Sequence, residues 1–150
     1  MNAIFARLIS AFAVVVVVMA APAYAQVAPN ARYTTASGTV YDTKTKLTWQ
    51  QTAPTTTYTW AAAKTYCTGV GASLGGVWRL PTVKELQSIL DFSQSKAPMI
   101  DPGAFPATVS SSFWSATPVA GTTSAWEVFF DSGITTNIFV TDSSYVRCVR

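Results

Sequence analysis

Seven carboxylates, ten cations, two cysteines and five tryptophans are the side chains of this sequence that could do chemistry, and histidine is absent. Without histidine the chain has no Ser-His triad, no imidazole general base and none of the usual zinc sites. The five Asp and two Glu are scattered, and none forms the close cluster of an EF-hand loop. Asp101, Glu127 and Asp131 come together only if the fold brings them there. A glycosidase needs two carboxylates at a fixed separation, and no pair stands out in the sequence. The glycine-containing stretch from Gly69 to Gly76 has no Lys-Ser/Thr after it and no strand pattern before it, so it reads as a loop, not a phosphate cradle. The sequence therefore predicts no enzyme, no metal and no cofactor.

The remaining chemistry is that of binding. Aromatic faces stack on sugar rings, and Trp49, Trp60, Trp78, Trp114 and Trp126 supply five of them. Trp49, Trp114 and Trp126 lie inside strand patterns and are expected in the core. Trp60 opens a helix pattern and Trp78 closes a glycine loop, so these two are the weaker candidates for ligand contact. Lys44 and Lys46 flank a turn and Lys96 lies in a long loop. Each reads as solvated surface or, as the sharper alternative, as a point charge for an acidic or sulfated glycan. Arg79 and Arg147 are expected to hold carboxylates or carbonyls in structural roles, and Asp91 and Asp101 to shape a helix end and a loop.

These side chains need elements to hold them. Gly38 to Tyr41 and Lys46 to Gln51 read as a hairpin around the turn at Asp42-Thr43-Lys44-Thr45. The spacing predicts a first helix from Trp60 to about Cys67, capped by Thr59 and ended by Gly69 and Gly71. Thr82 and Glu85 have the spacing of a capping box, in which each side chain satisfies a backbone N–H of the first turn. Val83, Leu86, Ile89 and Leu90 follow on one face of a second helix, to about Asp91. Ser93 to Ser112 is a long irregular loop with Ile100 and Phe105 as candidate anchors. Four strand-like runs follow as an antiparallel meander: Phe113 to Thr117, Ala125 to Asp131, Ile134 to Val140 and Tyr145 to Val149. The order predicts an α+β domain.

The first 25 residues read as an export signal: Arg7, an apolar run from Leu8 to Ala21, then Ala23-Tyr24-Ala25 as the cleavage pattern. The run is about 14 residues, short of the roughly 20 that span a bilayer, so no stable membrane span is expected after cleavage. The expected location is periplasmic or extracellular. The mature part, 150 − 25 = 125 residues, suits one domain, with a leader over 26–37 before the domain at 38–150. Nine cations against seven carboxylates leave it at 9 − 7 = +2, without a basic run, which argues against nucleic acid as a partner. In an oxidising compartment Cys67 and Cys148 read as a disulfide across 148 − 67 = 81 positions.

The ordered motifs resemble a known family. They are Val40-Tyr41-Asp42 with Leu47-Thr48-Trp49-Gln50, then Trp60-Ala61-Ala62-Ala63 leading to Cys67. Trp78-Arg79-Leu80-Pro81-Thr82-Val83-Lys84-Glu85-Leu86 is the most specific. Ile100-Asp101, Phe105-Pro106, Phe113-Trp114-Ser115, Ala125-Trp126 and Tyr145-Val146-Arg147-Cys148-Val149-Arg150 complete the set. The chain resembles the bacterial domain of unknown function 1566, also described as the Lcl C-terminal domain-like family after a collagen-like adhesin. The resemblance implies a C-type-lectin-like fold related to that of formylglycine-generating enzymes. From the adhesin it implies binding to sulfated glycosaminoglycans and trimeric assembly. The chain departs from those relatives in several ways. It has no collagen tract, and Lys46 stands where a turn glycine is expected. It lacks the Glu-Pro-Asn, Gln-Pro-Asp and Trp-Asn-Asp calcium triplets of true C-type lectins, and both cysteines are committed to the expected bridge. The expectation is an exported module recognising carbohydrate or sulfated glycan without calcium. The alternative is a protein-interaction or structural module of an envelope or appendage complex.

Overall fold

The computed structural model describes residues 32–150. The expected export signal, its cleavage after Ala25 and the leader up to residue 31 lie outside the described residues. Among the described residues no helix is long and apolar enough to cross a membrane. The domain is α+β, with two helices, antiparallel sheets and one disulfide.

The expected hairpin is present as β2 (Thr39–Asp42) and β3 (Thr48–Gln50), with Val40 opposite Trp49. Both side chains are fully buried, so this cross-strand pair fixes the register from the core side. The residues before it form an additional outer strand, β1 (Tyr33–Ala36), antiparallel to β2. The buried ring of Tyr33 anchors it, 5.2 Å from the ring of Phe105.

Buried Asp42 organises the turn between β2 and β3. Its carboxylate accepts from the Lys44 backbone N–H, the Thr45 hydroxyl and, at two positions, the Arg32 guanidinium. Burial pushes the Asp42 carboxyl up, but these bonds outweigh it and hold it below the ordinary range. Lys46 closes the turn with a φ of +63°, a left-handed conformation that a Cβ makes costly. Lys46→Gly is therefore expected to stabilise the fold by up to ~1 kcal/mol, read as a raised urea midpoint. A lowered midpoint would show that the lysine stem contributes more than the backbone strain costs.

After β4 (Tyr58–Thr59), α1 runs from Trp60 to Leu74, seven residues beyond the expected end at Cys67. Ala63, Cys67 and Val70 make its buried stripe. Gly69 and Gly71 do not stop it. A Cβ on Gly71 would lie 2.3 Å from the Gly76 carbonyl oxygen, so this glycine admits a backbone crossing the helix. The stop comes at Gly75, whose φ is +69°. Thr59 occupies the N-cap position without a side-chain cap bond; the Trp60 N–H donates instead to the Val140 carbonyl.

The second helix, α2 (Val83–Ser88), carries the full capping box of Thr82 and Glu85. It ends before Asp91 because Ile89 and Leu90 donate to carbonyls three residues back, tightening the last turn. The loop that follows is anchored as expected by Ile100 and Phe105, each 1 % exposed.

The meander has three strands rather than four: β5 (Ser112–Pro118), β6 (Ser124–Phe129) and β7 (Thr135–Phe139), in that order. Ser143–Ser144 forms β8 and pairs with β4. The segment that follows crosses the molecule. Val149 bridges Trp49 of β3 on one side and Arg79 on the other. The reason lies in its side chains. Val146, Arg147, Cys148 and Val149 are all buried, and an edge strand of the meander cannot bury both of its faces. Val149 joins the core cluster of Trp49, Leu86, Phe105 and Phe113. Val146 and Cys148 join the cluster of Trp78, Leu80 and Trp114 beneath α1. Cys148 bonds to Cys67 there.

Candidate functional site

The outward side of α1 carries Ala62, Thr65, Gly69 and Ser73, small residues that leave a trough along the helix. Gln50, Tyr58 and Tyr66 wall it, and its volume is about 680 Å³. The rings of Tyr58 and Tyr66 lie 5.0 Å apart, tilted by 35°. The Gln50 side-chain amide donates to the Tyr66 hydroxyl at 2.8 Å, and its oxygen accepts from the Cys148 N–H at 3.3 Å. These two bonds fix which way the amide faces. Among the described residues no charged side chain lines the trough. Its chemistry is that of hydroxyls, an amide and two aromatic rings.

A second cavity, about 430 Å³, lies within the long loop and includes Lys96, Pro98, Phe105 and Thr108 in its walls. Lys44 and Lys46 are exposed on the β2–β3 turn. Beside that turn, Thr45, Leu47, Lys84, Glu85 and Ser88 line a shallow depression. Lys96 therefore lines a cavity, whereas neither turn lysine lines the depression beside it.

Trp78 offers no face to a ligand. It is 1 % exposed, its indole N–H donates to the Gly75 carbonyl, and the Arg150 guanidinium sits 5.3 Å from its ring centroid. The glycine turn that made it look accessible folds back over the core and turns the indole inward. Trp60 is half-buried; its N–H donates to the Ser115 carbonyl and its ring is covered by the Lys64 ammonium at 3.5 Å. Trp49 and Trp114 are core residues as expected, whereas Trp126 is only half-buried on β6. Tyr58, Tyr66 and Gln50 escape the sequence reading because their neighbours come from three separate elements. The one local signal was the run of small residues on the outward face of α1.

Among the described residues no three metal-binding side chains gather. Asp101 accepts from the N–H groups of Gly103 and Ala104, and Asp91 from Ser93 and Gln94, as their predicted structural roles require. Arg79 pairs bidentately with Glu85. Asp131 accepts from the Ser132 hydroxyl. Glu127 is buried on the sheet near Ser112 and Ser144, with Oε2 lacking a hydrogen-bond partner. Burial raises its carboxyl above the ordinary range, and the two serine hydroxyls offset only part of that rise.

A raised folded-state value means that the native protein holds the proton more tightly than the unfolded chain does. This group's contribution to stability is therefore complete below the ordinary carboxylate range and falls as pH rises through the raised value. Glu127→Gln is expected to remove that decline. In urea titrations between roughly pH 4 and pH 8, the wild type should lose stability relative to the variant as pH rises. Parallel curves would show that the carboxyl is ordinary.

The sequence model of the Lcl C-terminal domain family matches residues 38–150, from just before β2 through the segment that carries Arg147 and Cys148. The chain belongs to that family. Comparison with curated proteins returns no match. The Lcl C-terminal domain thus comprises β2 to β8 with both helices, and β1 pairs with it from outside the matched span.

Proposed function

We propose that this Lcl C-terminal domain is an exported, non-catalytic module that binds carbohydrate. The observation that carries the reading is the trough on α1, with its tilted Tyr58–Tyr66 pair and an oriented Gln50 amide. Aromatic rings beside fixed polar groups suit a sugar, whose C–H faces meet the ring and whose hydroxyls meet the amide. The C-type-lectin-like arrangement implied by the family resemblance is compatible with this role. The uncharged lining favours a neutral sugar, whereas a sulfated polymer would engage Lys44 and Lys46 on the turn.

A glycan array of the oxidised protein tests this, with neutral glycans and both sulfated and desulfated glycosaminoglycans, with and without chelator, at two salt concentrations. The expected result is salt- and chelator-insensitive binding to neutral glycans, weakened by Tyr66→Ala about tenfold, which is ~1.4 kcal/mol. Binding that needs sulfate, falls with salt and survives Tyr66→Ala would move the contact to the turn lysines.

A separate observation favours a second reading, a protein-interaction module in an envelope complex. Strand β7, Thr-Thr-Asn-Ile-Phe, is an uncharged edge, with Ile134 beside it and Phe139 at its end each 61 % exposed. Such an edge can receive a strand from a protein partner. A blank glycan array, together with a native-envelope partner lost on Phe139→Lys, would select it.

A further inference from the structure

We infer that the cavity in the loop between α2 and β5 binds a small carboxylic acid with a compact ring body, and that the buried Arg147 supplies part of its preference for a negative charge. The inference is independent of the α1 trough.

Three observations meet at this cavity. Its walls combine the apolar surfaces of Pro98, Ile100 and Phe105 with the exposed Lys96, and no Asp or Glu lines it. Its volume, about 430 Å³, is that of a small-molecule site. Arg147 lies behind its inner wall: Thr108 accepts from the guanidinium at 2.7 Å, and the Phe105 ring centroid is 4.8 Å from its central carbon.

Arg147 is fully buried, and its other donors reach the carbonyls of Gln50 and Gln51. Its Nε has no hydrogen-bond partner among the described residues. Among the described residues the ion pairs are Arg32–Asp42 and Arg79–Glu85, so no carboxylate neutralises it. Burial among neutral acceptors pushes the guanidinium down to about 9, still above neutral pH, so it carries its charge near pH 7, and in a poorly polarisable interior the field of that charge is weakly screened. Thr108 and Phe105 belong both to the cavity wall and to the shell of Arg147, so that field extends into the cavity. Lys96 adds a solvent-exposed cation at the loop surface. An anion entering would meet both charges while its ring rests on Pro98 and Pro102.

The test titrates the ¹⁵N-labelled oxidised protein with benzoate, with its neutral isostere benzamide and with sulfate, following backbone amide shifts. Benzoate is expected to move resonances between Gln94 and Thr108 and to bind at least about tenfold more tightly than benzamide. Sulfate should bind more weakly than benzoate, because it has no ring to bury. Lys96→Gln should weaken benzoate up to about fivefold, the size of one exposed ion pair, yet leave a preference for benzoate over benzamide. That residual preference is the signature of Arg147. Lys44→Gln, on the turn, should change nothing.

Equal binding of benzoate and benzamide, or shifts confined to other regions, would overturn the inference. So would an absence of shifts at ~10 mM benzoate, a concentration that detects even millimolar affinity. Complete loss of the carboxylate preference in Lys96→Gln would overturn the role given to Arg147.

Discussion

Arg147→Ala is expected to destabilise the domain by about 3–5 kcal/mol, a large share of what a domain of this size possesses. The guanidinium joins three stretches of chain. It donates to the carbonyls of Gln50 and Gln51 at the end of β3 and to the Thr108 hydroxyl at the end of the long loop, while its own backbone lies in the crossing segment. Removing it takes a donor from each of these acceptors, and an unsatisfied buried polar group costs ~1–3 kcal/mol. It also leaves a void against Phe105 and Phe113, whose rings face the guanidinium. Arg147→Met separates the two effects, because methionine refills much of the volume and donates nothing. Urea denaturation should place Arg147→Met between the wild type and Arg147→Ala. A methionine variant as stable as the wild type would mean that the side chain acts by volume alone.

The second large effect is expected from the Cys67→Ala/Cys148→Ala double variant. The bridge closes a loop spanning 81 positions, and the loss of that constraint on the unfolded chain is worth about 4.5 kcal/mol in the chain-entropy account. The melting temperature should fall by roughly 10–20 °C. Both cysteines are fully buried, so adding reductant to the native protein should act slowly, and the double variant is the cleaner comparison. A melting temperature unchanged within a few degrees would show that the core holds α1 to the crossing segment without the bond.

Features encoded within a few residues were legible in the sequence. The capping box of Thr82 and Glu85 needs only its own four residues and formed as read. The disulfide followed from the number of cysteines and the expected compartment, and Ile100 and Phe105 were apolar residues in a polar loop that had to bury something. The end of α1 was misread because Gly71 marks a helix stop in sequence, yet here it makes room for the Gly76 carbonyl, a tertiary reason with no local trace. The run Tyr145 to Val149 was recognisable as extended, but its partners were not. It follows β7 in the chain and still joins β3 and Arg79, elements distant in sequence. The trough shares that origin. Tyr58 comes from β4, Tyr66 from α1 and Gln50 from β3, and their adjacency is a product of the folded state. Lys44, Lys46 and Lys96 were correctly read as exposed, but sequence gave no means of assigning them to different surfaces.

The crossing segment also sets the order in which the domain can be completed. Residues 145–150 are synthesised after every element they join, yet they lie between β3 and Arg79, close the disulfide and carry the guanidinium that ties the loops. Until that stretch has left the ribosome, the two core clusters lack Val149 on one side and Val146 with Cys148 on the other. A chain lacking that stretch is therefore expected to leave both core clusters incomplete and Cys67 without its bridge.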